Sequence, residues 1–244
     1  MDFLVFRIYA PMASWGEAAV GGTRPSATYP GRSAILGLLA GALGISRHDQ
    51  SRQTSLRQAV EVAVKQHSPG VLIRDYHTIQ VPGRTAAKHV RSRRDELAVR
   101  KDRLNTILSA REYRCDGYWT VAIRLADSSP WALADLEAAL RRPGFIPFLG
   151  RKSCPLGAPL DPRIVTAGGI REALSVDFPR LTSLTKEDER RRMRLKGDVL
   201  YAWEGEGGDI DAHELHHRHD QPLHRGRWQF TSRRENRHRT REEN

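Results

Sequence analysis

The chain opens on a run of apolar and aromatic positions, Phe3-Leu4-Val5-Phe6-Arg7-Ile8-Tyr9-Ala10, which Pro11 ends; the run predicts a buried first strand. A loop rich in Gly, Pro and Thr follows, through Gly21-Gly22-Thr23-Arg24-Pro25 to Tyr29-Pro30-Gly31. Ser33 to Gly44 then reads as a helix, with Ser33 placed to cap it and Gly44 to close it in the left-handed conformation. Gly37 and Gly41, four apart, lower its propensity and imply close packing on one face. A short helix around Ser55–Ala59 leads into a strand, Val60-Glu61-Val62-Ala63-Val64. The turn Ser68-Pro69-Gly70 precedes a further strand, Val71 to Tyr76. Val90, Leu97 and Leu104 recur every seven residues, with Ile107 and Leu108 behind them, a spacing that allows one amphipathic helix. Tyr118 to Leu125 is the clearest strand of the middle region, and Pro130 to Leu140 the clearest helix, with Ser129 at its N-cap and Pro130 at the first helical position.

Strand, helix, strand, strand, helix is the order of a ferredoxin-like unit. The expected fold class is therefore α+β, a ferredoxin-like (RRM-like) domain with a long basic insertion at about 78–111. Residues 1–150 would hold this domain, and 151–244, rich in Pro and Gly at first, a smaller β-rich region with a basic, His-rich tail. A length of 244 residues fits one core domain with an insertion or appendage.

Charge changes the picture. Forty Lys and Arg against 29 Asp and Glu leave a net +11, and ten of those cations lie between Arg84 and Arg114 beside only four acids. Such an excess favours a polyanionic partner, because each neutralised phosphate releases counterions. The fork of arginine suits phosphates and base edges better than a point charge. No run approaches the roughly 18 apolar residues of a membrane span. Met1 to Arg7 does not read as a signal peptide, and two cysteines cannot build a disulfide framework, so a cytoplasmic protein with no membrane partner is expected.

Candidate chemistry is sparse. A helix opening at Ser33 would offer backbone N–H groups to a phosphate, with Arg24 and Arg32 flanking and Trp15 and Tyr29 as stacking faces; the bland reading is an ordinary capped core helix. Gly150-Arg151-Lys152-Ser153 lacks the spacing of a nucleotide-hydrolysing loop but places two cations beside a glycine and a hydroxyl. His213-Glu214-Leu215-His216-His217 matches H-E-x-x-H, which needs a buried helix and a third ligand. Six of the ten histidines fall after residue 212, so a chance match is easy, and no metal or other cofactor is expected. His77 beside Tyr76 has the groups for metal-free RNA cleavage, although a lone strand-end His is more often structural or a binding residue.

Several segments in order resemble the CasD family of type I-E CRISPR surveillance complexes (Cascade): Pro11-Met12-Ala13-Ser14-Trp15-Gly16, Gly22-Thr23-Arg24-Pro25, Pro30-Gly31-Arg32-Ser33 with Leu36-Gly37-Leu38-Leu39, Arg74-Asp75-Tyr76-His77-Thr78, Arg111-Glu112-Tyr113-Arg114-Cys115-Asp116, and Pro147 to Leu156. Gly207-Gly208-Asp209-Ile210 and Gln229 to Arg233 are similar to its C-terminal part. The resemblance implies an RNA-recognition-like fold with a protruding thumb, here the 78–111 excursion. It also implies a non-catalytic subunit of antiviral defence that grips the 5′ handle of the CRISPR RNA, caps the CasC backbone, touches the large subunit CasA, and meets target DNA only through the complex. Related proteins of another subtype cleave the precursor, so a metal-independent endoribonuclease is the alternative. On this reading the RNA-binding set is Trp15, Thr23, Arg24, Arg32, Ser33, Arg74, Tyr76, His77, Arg111, Tyr113, Arg114, Arg151 and Lys152, with no catalytic residue.

Overall fold

A computed structural model describes residues 1–242 apart from 18, 20, 84–90, 196 and 225–228. In chain order the elements are β1 (Asp2–Ala10), β2 (Thr23–Arg24), α1 (Arg32–Ala42), α2 (Gln50–Ala59), β3 (Val60–Ser68), β4 (Val71–Pro82), α3 (Arg93–Leu97), β5 (Leu104–Cys115), β6 (Gly117–Leu125), α4 (Leu133–Arg141), β7 (Arg163–Thr166), α5 (Ile170–Ala173), α6 (Lys186–Arg192), β8 (Asp198–Trp203), β9 (Glu214–His224) and β10 (Gln229–Arg241). A mixed α+β molecule results, built on antiparallel pairing.

Seven strands form one sheet in the order β7-β1-β6-β3-β8-β10-β9, every neighbouring pair antiparallel. Residues 151–244 supply four of them, so the C-terminal strands extend the first sheet at both ends. Alternation along β1 explains its unbroken apolar run, since both faces are covered. Leu4, Phe6 and Ile8 face a core shared with α1 and α4, whereas Phe3 and Val5 face a second cluster with Ala173, Leu174, Tyr201 and Trp203.

Several local expectations shift. Helix α1 begins at Arg32 with Gly31 as N-cap, so Ser33 lies inside the first turn and caps nothing; Gly44, at φ +65°, does end it in the left-handed region. Helix α2 starts five residues earlier than expected because the Asp49 side chain accepts from Arg52 N–H. Helix α4 starts at Leu133, not Pro130: Asp135 reaches back to the Ala132 N–H at 2.8 Å, while the Ser129 hydroxyl is spent on Trp131.

The larger correction concerns the basic excursion. No single amphipathic helix spans it among the described residues. A Ser92–Asp95 capping box starts a helix of one turn, and Leu104, Ile107 and Leu108 belong to β5. Val90 and the cations Arg84 and Lys88 lie outside the described residues. Strands β4 and β5 pair without a bulge from Val71↔Cys115 to Pro82↔Leu104, and the short parallel β2 joins β5. The excursion is thus an antiparallel arm leaving the end of β3 and returning into β6.

Candidate nucleic-acid interface

Register sorts the arm's residues. Paired residues share a face and successive ones alternate. Arg74, Tyr76, Glu112 and Arg114 therefore stand on one face, and Asp75, His77, Arg111 and Tyr113 on the other. The two motifs 74–77 and 111–114 do lie together, as Arg74↔Glu112 and Asp75↔Arg111, but as two surfaces rather than one.

A loop clamps each face at the root. On the first, Arg74 Nη2 sits 2.7 Å from Glu112 Oε1, Ser26 N–H donates to Glu112 Oε2 at 3.2 Å, and Arg114 donates to the carbonyls of Ala27 and Ser26 at 3.2 and 3.3 Å. The hydrogen bond from Arg74 holds the Glu112 carboxyl below its ordinary range, against the opposing effect of burial. Tyr76, just outward, is 64% exposed. On the second face the 148–155 loop docks. Leu149 N–H donates to Cys154 O at 2.7 Å, and Ser14 N–H to Leu149 O at 3.0 Å. Gly150 takes φ +85°, and a Cβ there would come 1.8 Å from the Ser14 carbonyl oxygen, so only glycine fits. The turn lays Arg151 over the Tyr113 ring at 4.7 Å and leaves Lys152 exposed. Arg24 is exposed and pairs in register with Arg111, next to Thr23↔Ala110. His77 Nδ1 lies 2.7 Å from Asp75 Oδ2.

Three expected contacts are withdrawn from the surface. Trp15 is buried edge-to-face against Trp119, centroids 5.3 Å apart, and has no open ring face for a base. Arg32 Nε sits 2.8 Å from Glu204 and Nη2 donates to the carbonyls of Arg57 and Val60 at 2.6 and 2.8 Å, while Nη1 is buried, so the fork is turned inward. Ser33 follows inside a helix whose N-terminus is covered: a Cβ on Gly31 would meet Asp220 Oδ2 at 3.2 Å and Arg218 Nη2 at 3.3 Å. The phosphate seat expected there is filled by the C-terminal hairpin.

That hairpin, β9–β10, pairs antiparallel with two register shifts, between Gln229 and Phe230 and between Thr231 and Arg233, in the tail read from sequence as basic and His-rich. Its inward positions form ion pairs: Arg233 Nε with Asp220 at 2.6 Å, Arg233 Nη2 with Glu235 at 2.9 Å, and Arg218 with Glu235 at 3.7 Å. Tyr29 donates to Glu235 and lies between Arg218 and Arg237; burial, then Glu235, push its hydroxyl up to about 12. The H-E-x-x-H segment runs into β9, where four positions of extended chain span about 13 Å, so His213 and His217 are not stacked on adjacent turns and the helical zinc geometry is not met. Sequence reasoning missed Arg237, Arg239 and Arg241; their spacing of two, in a segment that proves to be a strand, was the available signal.

Residues 3–236 match the family model described as CRISPR-associated protein (Cas_Cas5). The chain belongs to the Cas5 family. Among curated proteins it is similar to the CRISPR system Cascade subunit CasD of Escherichia coli (strain K12), 38% identical over 159 residues, which are 65% of this chain and 69% of that protein. Among solved structures it is similar to a chain of a CRISPR RNA-guided surveillance complex, with 26% identity and a TM-score of 0.66, covering 99% of this chain and 90% of that one. A second, described as a crystal structure of a Cas protein, has 22% identity, a TM-score of 0.57 and coverage of 98% and 94%, and shares the fold. The Cas5 match takes in the arm, both root loops and most of β10.

Proposed function

We propose that this Cas5 protein is a non-catalytic subunit of a type I-E Cascade complex that binds the 5′ handle of the crRNA. It caps the CasC backbone, joins it to CasA, and meets target DNA only through the assembly. Its place is the cytoplasm. The order β1-α1-β3-β6-α4-β7, with sheet order β7-β1-β6-β3, supports the ferredoxin-like reading. The arm is then the thumb, inserted between the second and third strands of that unit.

The observation that carries the proposal is the clamped root of the arm. On one side Arg24 and Arg111 stand in register, Arg151 lies over Tyr113 with Lys152 exposed next to it, and His77 is two positions outward of Asp75; on the other, Tyr76 projects beyond Arg74 and Arg114. Single-stranded RNA is read with bases splayed onto aromatic or guanidinium planes while cations hold the phosphates. Trp15, Arg32 and Ser33 act one layer behind, shaping the loop and helix that support this surface. Exposed Leu72 and Leu108 on one face and Ile107 on the other give the arm apolar positions for a neighbouring protein subunit.

The test is fluorescence anisotropy with handle RNA and a scrambled RNA of equal length. Handle RNA is expected to bind more tightly, with log affinity falling by about 0.7 per contacted phosphate for each decade of salt. Tyr76→Ala is expected to cost about 1–3 kcal/mol of handle binding without changing stability. Equal affinity for both RNAs, or no salt dependence, contradicts the proposal.

One observation favours the second reading, an endoribonuclease processing precursor RNA. Asp75 Oδ2 lies 2.7 Å from His77 Nδ1, outside hydrogen-bond geometry, and so sets a carboxylate beside an imidazole, the pair of groups that general-base chemistry uses. Incubation of the purified chain with a repeat hairpin in chelator separates the two: intact RNA is expected, and cleavage lost in His77→Ala establishes the nuclease.

A further inference from the structure

Arginine recurs at every second position near the end of β10: Arg237, Arg239 and Arg241. A strand puts alternate residues on one face, about 7 Å apart, so the three form a row. Their partners differ. Arg237 lies over Tyr29 and pairs with Glu235 at 3.3 Å. Arg239 and Arg241 are exposed and make no ion pair or side-chain hydrogen bond with another described residue. Asp198 stands opposite Arg241 in register and offsets part of its charge, whereas Arg239 stands opposite Leu200.

Pairing also fixes where the row lies. Leu200 is opposite both Arg239 and Gln66, so Arg239 is level with the last residues of β3, whose chain turns at Ser68 into the arm. Leu200 belongs to the core cluster that contains Trp15, Tyr29 and Tyr113. Arg239 and Arg241 therefore occupy the end and the face of the sheet that carry the arm's root and the 24–31 loop. Two unpaired guanidiniums in a regular row, with no exposed aromatic ring against them among the described residues, suit a phosphate backbone rather than base edges.

We infer that Arg239 and Arg241 form a second, sequence-independent contact to the RNA backbone, continuing the path from the arm's root along β10. The inference rests on the RNA-binding reading above and assigns it a further strip of surface. The strip holds RNA by charge and contributes nothing to discrimination between sequences.

The full chain carrying R239Q and R241Q is compared with the parent, and with R239K and R241K, in binding handle RNA and scrambled RNA across a salt series. Both side chains are exposed, so the melting temperature is expected to stay at the parental value. For the Gln pair, affinity for both RNAs is expected to fall by the same factor. The salt slope should drop by about 1.4 for two lost phosphate contacts, and the Lys pair should restore most of it. A parental affinity and slope in the Gln pair overturns the inference. So does a loss confined to the handle RNA, which would make these arginines base readers. A parent that binds neither RNA removes the RNA-binding reading itself, whereas a parent that prefers the handle keeps that reading whatever the β10 variants do.

Discussion

At Gly150 two demands meet: a left-handed backbone and an approach to the Ser14 carbonyl that leaves no room for a methyl group. Gly150→Ala must strain the turn or push the two loops apart, and either moves Arg151 off Tyr113. The expected loss of stability is at least about 2 kcal/mol, read by urea denaturation, with weaker RNA binding alongside; a change within about 0.5 kcal/mol would contradict it. His67 carries a different kind of expectation. Burial, reinforced by the like charge of Lys65, pushes its imidazole down to about 3, and Nε2 lies 2.8 Å from Thr120 Oγ1. The folded chain keeps the ring neutral while the unfolded chain protonates it from about 6.5 downward. Between those values the unfolded state binds more protons, so stability falls as pH falls, by at most about 1.4 kcal/mol per pH unit. Unfolding midpoints across this window should flatten in His67→Gln; an unchanged profile assigns the dependence to other groups.

Among the elements, legibility followed the apolar pattern. β1, β3, β6 and α1 were readable because their inward positions are aliphatic or aromatic. The arm was misread as a helix because three residues at a seven-residue spacing fit more than one geometry, and the exposed Ile107 and Leu108 are not a core stripe at all. β9 and β10 were hidden for the opposite reason. Their buried positions hold Arg218, Arg233 and Glu235, so burial left no hydrophobic alternation in the sequence. The candidate site was legible in its residue types and in the pairing of its two strand motifs. The fates of Arg32 and Trp15 were not, since Arg32 is decided by Glu204, 172 positions away, and Trp15 by Trp119.

On the scale of the whole molecule, positive charge is distributed by partner. Arginines inside the β9–β10 hairpin are neutralised by carboxylates, whereas Arg24 beside the arm's root, Lys152 in the 150–152 turn, and Arg239 and Arg241 at the end of β10 are exposed. The arm's tip is a separable part of this plan. Gly83 N–H bonds Arg103 O at 3.0 Å beyond the last strand pair, so residues 84–102 can be exchanged for an Asn-Gly turn that closes the hairpin. The melting temperature and handle affinity of that variant are expected to match the parent, while its assembly onto the CasC backbone, followed by size-exclusion chromatography, weakens; undiminished assembly would sink the thumb's assigned role. The unbulged pairing of β4 with β5 also has a mechanical side. Twelve residues at about 3.3 Å each make a stiff arm of about 40 Å, so a pivot of about 10° at its base carries the tip through about 7 Å. The arm is a lever, and the fulcrum is the pair of loops locked by Gly150 and Glu112. In the proposed assembly, where the far end lands on a neighbouring subunit is decided at the near end, by a glycine and a carboxylate that the neighbour need never touch.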